Sequence, residues 1–187
     1  MNVILFGPPG AGKGTQAKYL VKKLNGFQVS TGDMLRDEIK KDSEIGRKII
    51  QDMNDGKFVN DEIVNNLIKN VIFDTQKKHK LIFDGYPRSL SQAQNLEKLL
   101  DNSNQKINVI FFLNVNKETI IKRIEKRKIL EKRSDDDLST ILKRHDTYME
   151  TTKPVLDFYS QNPNFYEIDG TSKIEVITAK IDEIINV

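Results

Sequence analysis

Residues 7 to 16 read Gly7-Pro8-Pro9-Gly10-Ala11-Gly12-Lys13-Gly14-Thr15-Gln16, directly after the apolar run Val3-Ile4-Leu5-Phe6 and before a segment with helical spacing. Strand, glycine-rich turn and helix are the context in which such a loop cradles phosphates. Glycines let backbone N–H groups approach an anion, the helix N-terminus adds partial positive charge, and Lys13 reaches the outer phosphates. The general pattern has Ser or Thr directly after the lysine. Here Gly14 takes that place and the hydroxyl follows at Thr15. The stretch implies a site for a nucleoside triphosphate, and the shifted hydroxyl hints at a subclass.

The 187 residues fit one domain with a sizeable core. No apolar run approaches the ~18 residues of a membrane span. A strand begins within two residues of Met1, so the expectation is that no signal or transit segment precedes it. Cysteine is absent, which removes disulfides and thiolate metal sites and fits a cytoplasmic chain. A net charge of +3 is too small to argue for nucleic acid.

Apolar, β-rich runs recur at Val3–Phe6, Phe27–Val29, Leu81–Phe83, Val109–Leu113 and Phe165–Ile168. Between them lie helical patterns: Ala17 to Leu24 with Gly26 as a stop, Leu90–Leu100, Thr119–Leu130, Leu138–Tyr148 and Ile174–Ile185. The expected fold is α/β: a three-layer αβα domain with a parallel sheet of about five strands and ligands at the strands' carboxyl ends. Two segments interrupt the alternation. Ser30–Asn60 is helical with little strand character, and Lys128–Asp136 is short and polar; both are candidate moving parts over a site.

A phosphate-loop site needs an acid at the end of a buried strand, and Leu81-Ile82-Phe83-Asp84 supplies one. Asp84 would hold Mg²⁺, directly or through water. Alone, a turn made by Asp84 with Gly85 explains it equally well; beside the loop the metal reading is favoured. Gly85-Tyr86-Pro87-Arg88 then places a guanidinium just past the strand end. Ser30 and Asp33 resemble a capping box, so Arg36 projects from the first turns of a helix. Arg123 and Arg127 share a helix face, Arg133 precedes a helix capped by Ser134, and Arg144 lies about three turns beyond Arg133. Lysine-rich solvated helices are the bland account of these arginines. Phosphoryl transfer between two nucleotides, however, needs several cations around the phosphates and little else.

Across essentially its whole length the chain resembles the adenylate kinases, within the nucleoside monophosphate kinases. The resemblance rests on Gly7–Gln16 with glycine after the lysine, Ser30–Arg36, Asp55–Val59, Asp84–Arg88 with Gln92, the arginine series and Asp169–Ser172. It implies a single domain: a core of residues 1–29, 60–125 and 137–187, an AMP-binding insertion at 30–59 and a short lid at 126–136. It implies reversible transfer of the γ-phosphoryl of Mg·ATP to AMP, giving two ADP. Gly10, Ala11, Gly12, Lys13, Gly14 and Thr15 would hold the ATP phosphates, with Arg123, Arg127 and Ser172 also on ATP. Thr31, Arg36, Lys57, Phe58, Val59, Gly85, Tyr86, Pro87, Arg88 and Gln92 would hold AMP. Arg133 and Arg144 would join Arg36 and Arg88 around AMP and the migrating group. Lys13, Arg88, Arg127, Arg133, Arg144 and Asp84 are the implied catalytic set, with Asp84 and Thr15 on Mg²⁺ through water. Gln92 is the specificity residue, since an amide pairs bidentately with the adenine N6 amino group and a ring nitrogen.

Only Lys128 to Lys132 separate Arg127 from Arg133, which resembles the short-lid form without structural zinc. Lys128 and Lys132 stand where short-lid members often have glycine. His79 and His145 receive no role. The expected partners are ATP, AMP and ADP, without nucleic acid or membrane, acting on a monomer. The nearest rival is a UMP or CMP kinase on the same fold, against which Thr31 and Gln92 argue. A nucleotide-binding switch would use Asn-Lys-x-Asp for its base, and Asn116-Lys117-Glu118-Thr119 lacks the final Asp.

Overall fold

The computed structural model describes residues 1–74, 80–131 and 138–186. Five parallel strands form one sheet: β1 (Asn2–Phe6), β2 (Phe27–Ser30), β3 (Leu81–Asp84), β4 (Ile107–Asn114) and β5 (Phe165–Asp169), in the order β2-β3-β1-β4-β5. Each expected strand is present, extended by one to three residues where flanking residues, all polar except Ile107, continue the ladder. A βαβ chain folds this way because parallel neighbours need long crossovers, which helices supply.

The two faces of the sheet are read directly from alternation along β1. Val3 and Leu5 face one cluster, shared with α1 (Lys13–Leu24), α6 (Lys117–Glu131) and α9 (Ile174–Ile185) through Leu20, Ile124 and Ile181. Ile4 and Phe6 face the other, shared with α4 (Asp61–Phe73), α5 (Leu90–Asp101) and α8 (Lys153–Tyr159) through Ile68, Leu96 and Tyr159. A parallel sheet buried on both faces requires such double cover.

The segment after β2 forms α2 (Thr31–Lys40) and α3 (Glu44–Asn54). Ser30 caps α2 by accepting the Asp33 N–H at 3.3 Å, as the sequence suggests. The end of α1 falls one residue earlier than Gly26: Asn25 takes the left-handed conformation at φ 49. Asn tolerates that geometry, so glycine is not required for the stop itself. Gly26 is needed for closeness instead, since a Cβ there would come within 2.6 Å of the Lys80 carbonyl.

α6 continues through Glu131, one residue past the expected helical pattern, so the start of the polar stretch Lys128–Asp136 is helix. Lysine, leucine and glutamate are good helix formers, which lets the chain carry the helix through that turn. Residues 132–136 of the expected lid, including Arg133, lie outside the described residues, as does His79. α7 (Leu138–Thr151) follows. The helices α4 and α8 go beyond the sequence expectations, although Asn60 followed by Ile63, Val64, Leu67, Ile68 and Val71 carried the signal for α4.

Candidate active site

The loop between β1 and α1 owes its shape to Gly10 at φ 82 and Gly12 at φ 95, values that side chains oppose. A Cβ at Gly10 would also meet Ile124 Cγ1 at 2.9 Å, so the loop lies close against α6. Gly12 caps α1 without a side-chain acceptor, which leaves the first-turn N–H groups open to an anion. Thr15 is exposed on that turn.

Lys13 Nζ donates to the Gly7 carbonyl at 2.7 Å and lies 3.1 Å from the Pro8 carbonyl. Burial lowers its pKa to about 8; Asp84 opposes that shift, while Arg88, Arg144 and Arg127 add to it. Asp84 ends β3 and is paired in register with Leu5 of β1 and Ser30 of β2. Its Oδ2 accepts from Gln28 Nε2 at 3.0 Å. A Cβ at Gly14 would stand 3.5 Å from the same oxygen, so the residue after the lysine faces the carboxylate.

On the other side, Gly85 anchors two groups through one carbonyl. The Thr31 hydroxyl donates to it at 2.9 Å and Arg88 Nε at 2.7 Å. The Arg88 guanidinium lies 5.0 Å from the centre of the Phe58 ring, a cation–π contact. Arg36 pairs with Asp33 at 2.6 Å, and the exposed Lys57 lies 3.2 Å from Asp55. Gln92 is buried: its Oε1 accepts the Arg88 N–H at 2.8 Å and its Nε2 donates to Asp61 Oδ1 at 2.6 Å. Thr31, Phe58, Val59, Gly85, Arg88 and Gln92 line one pocket. Tyr86 joins Pro87 by a cis peptide bond, and its ring packs in the core beside Phe83. Burial pushes its phenol up to about 12.

A second cleft is lined by Gly7, Lys13, Pro87, Arg88 and Arg144, with Tyr148 one helical turn beyond Arg144. The phosphate loop, the Gly85–Arg88 segment and α7 thus converge at the carboxyl ends of β1 and β3. Farther along, Arg123 reaches from α6 to the Ala11 carbonyl at 3.3 Å and the Ser172 carbonyl at 3.4 Å. Hydrogen bonds from the Thr171 hydroxyl and N–H and the Ser172 hydroxyl hold the Asp169 carboxyl below the usual range and order that loop. Arg127 lies on α6, four residues beyond Arg123. His145 points its Nδ1 toward Asp146 at 3.6 Å.

Gln28, Asp61, Ser89 and Tyr148 line or support the site without having been singled out in the sequence. Ser89 had a local signature, a hydroxyl three residues before Gln92 at a helix start. Asp61 reads locally as no more than a first-turn acid, and its partners lie about 30 residues away.

A doubly covered parallel sheet, a glycine loop at a helix N-terminus and cations gathered beyond it define a nucleotide-binding phosphotransferase of the kinase class. A family model described as Adenylate kinase matches residues 5–164. The chain belongs to the adenylate kinase family. It is 48% identical to an adenylate kinase of Pelagibacter ubique in an alignment covering all of both chains. That alignment spans 213 positions against this chain's 187 residues, so the relative carries residues that this chain lacks. An adenylate kinase of Caulobacter sp. strain K31 is 41% identical over 187 positions, covering 100% of this chain and 99% of its own. One from Mycoplasma capricolum is 43% identical over 195 positions, covering 90% and 91% respectively.

Proposed function

We propose that the cleft between the phosphate loop and the Gly85–Arg88 segment is where the γ-phosphoryl of ATP passes reversibly to AMP, giving two ADP. The observation that carries this reading is that Lys13 and Arg88 line one cleft, one from each side. The activity itself is that of the family to which the chain belongs, an ATP:AMP phosphotransferase.

The ATP phosphates lie along Gly10 to Thr15 at the N-terminus of α1, with Lys13 turning from its carbonyl partners to the outer phosphates. Arg123 and the Ser172 backbone flank the donor base, and Arg127 reaches ATP from α6. AMP occupies the pocket of Thr31, Phe58, Val59, Gly85, Arg88 and Gln92, with the Lys57–Val59 and Gly85–Pro87 backbone along it. Arg36, Arg88 and Arg144 serve its phosphate and the migrating group, and the family resemblance assigns Arg133 to the same role. Charge stabilisation of this kind acts without a covalent enzyme intermediate, and closure over the pair keeps water from accepting the phosphoryl group.

The residues present fit a hard divalent cation. Asp84 offers a carboxylate at the strand end, oriented by Gln28, and Mg²⁺ with nucleotide phosphates needs only one or two such groups. Bound there with Thr15 nearby, Mg²⁺ would neutralise charge on the β- and γ-phosphates. The chain acts as a monomer in the cytoplasm; the absence of cysteine supports that compartment. Among the described residues no helix is long and apolar enough to cross a membrane.

A steady-state assay crossing ATP and GTP as donors with AMP, UMP, CMP and GMP as acceptors tests this reading. ATP with AMP should be the fastest pair. Faster turnover of UMP or CMP would overturn the adenine assignment.

A further inference from the structure

Gln92 carries an amide whose two ends look alike in shape and differ in chemistry, so its reading of a base depends on which end points where. Two neighbours remove the choice. The Arg88 N–H can only donate, and it meets Oε1 at 2.8 Å. The Asp61 carboxylate can only accept, and its Oδ1 meets Nε2 at 2.6 Å. The other Asp61 oxygen accepts the Ser89 hydroxyl at 2.7 Å, and that hydroxyl accepts the Gln92 N–H at 3.2 Å. Asp61 thus spends one oxygen on the Gln92 amide and the other on the cap of α5, at the meeting of the α4 and α5 N-termini.

We infer that Asp61 is a specificity-determining positioning residue: it holds the Gln92 amide in the one orientation that reads a 6-amino purine and rejects a 6-oxo purine. This rests on the proposed contact of Gln92 with the acceptor base. In the held orientation Oε1 has one lone pair left and Nε2 one hydrogen left. Adenine offers an N6 amino donor and an N1 acceptor, which match. Hypoxanthine offers an O6 acceptor and an N1–H donor, which face like against like. Turning the amide over would match hypoxanthine. It would also set Oε1 against the carboxylate and Nε2 against the Arg88 N–H, leaving buried groups unpaired. Asp61 touches no base; it acts through Gln92.

The test compares kcat/KM for AMP and for inosine monophosphate, with ATP as donor, in the wild type, Asp61→Asn, Ser89→Ala and Gln92→Ala enzymes. The ratio of two acceptors on one preparation is independent of how much protein is correctly folded. Asn at 61 presents an amide that can pair with either end of Gln92, so the AMP-over-IMP ratio should fall at least about tenfold, part of it through a rise in the IMP value. Loss of a merely structural contact would lower both values together. Ser89→Ala weakens the α5 cap while keeping the Asp61–Gln92 contact, and its ratio should stay within about twofold of wild type. An unchanged ratio in Asp61→Asn, or an equal fall in Ser89→Ala, overturns the role of Asp61. An unchanged ratio in Gln92→Ala instead overturns the assignment of Gln92 to the base, so the two failures are distinguishable.

Discussion

The Lys13 ammonium rests on the carbonyl of Gly7 at 2.7 Å, within its own loop. The cation is thus stored beside the place where phosphate charge is proposed to arrive, held by neutral acceptors that an anion can replace. Burial with three arginines in range makes the charged form costly, which is why the pKa falls to about 8.

From this follows a pH effect with a definite sign. Phosphates favour the charged lysine, so its pKa rises when Mg·ATP binds. Below pH 8 the lysine is charged in both states and affinity is level; above it, binding must take up a proton and affinity falls as pH rises. Calorimetry at pH 8.5 in buffers of different ionisation enthalpy should record that uptake. Asp84→Asn removes the carboxylate that opposes the shift, so the fall should begin at lower pH.

Arg88 is held by the Gly85 carbonyl and by the Phe58 face. Arg88→Lys keeps a charge and loses the planar fork. The expected result is a fall in kcat of about 10²-fold or more with an unchanged melting temperature. Near-normal turnover would remove Arg88 from the reacting centre.

Phe58→Ala takes away the face beneath that guanidinium and opens the acceptor pocket. At roughly 0.5–1 kcal/mol for such a contact, KM for AMP should rise about two- to fivefold with KM for ATP unaffected. Initial rates with each substrate varied in turn provide the check.

Gly10→Ala combines a left-handed backbone with a Cβ 2.9 Å from Ile124. The conformation alone costs about 1–2 kcal/mol, and relief of the contact requires α6 to give way. Chemical denaturation should show a loss of at least that size, together with weakened ATP binding.

Ile68 is fully buried on α4 against the sheet. Ile68→Ala should cost about 2–5 kcal/mol through lost burial and the cavity left behind. The midpoint of urea unfolding should drop with little change in slope.

The five strands, the phosphate loop and the acid at the end of β3 could be read in the sequence because each is a local pattern. An unbroken apolar run marks Val3–Phe6, the glycines at 10 and 12 announce positive φ, and Asp84 closes a buried run. Short-range sterics and hydrophobic periodicity are encoded within a few residues, so one segment carries them whole. The tertiary structure decided what depends on residues far apart. It chose the strand order β2-β3-β1-β4-β5, brought Arg123 onto both the Ala11 and Ser172 carbonyls, and set Asp61 against an amide 31 positions away. Whether Gln92 presents its oxygen or its nitrogen is invisible in the letters around it. That choice follows from a donor and an acceptor that only the packing of α4 on α5 brings together.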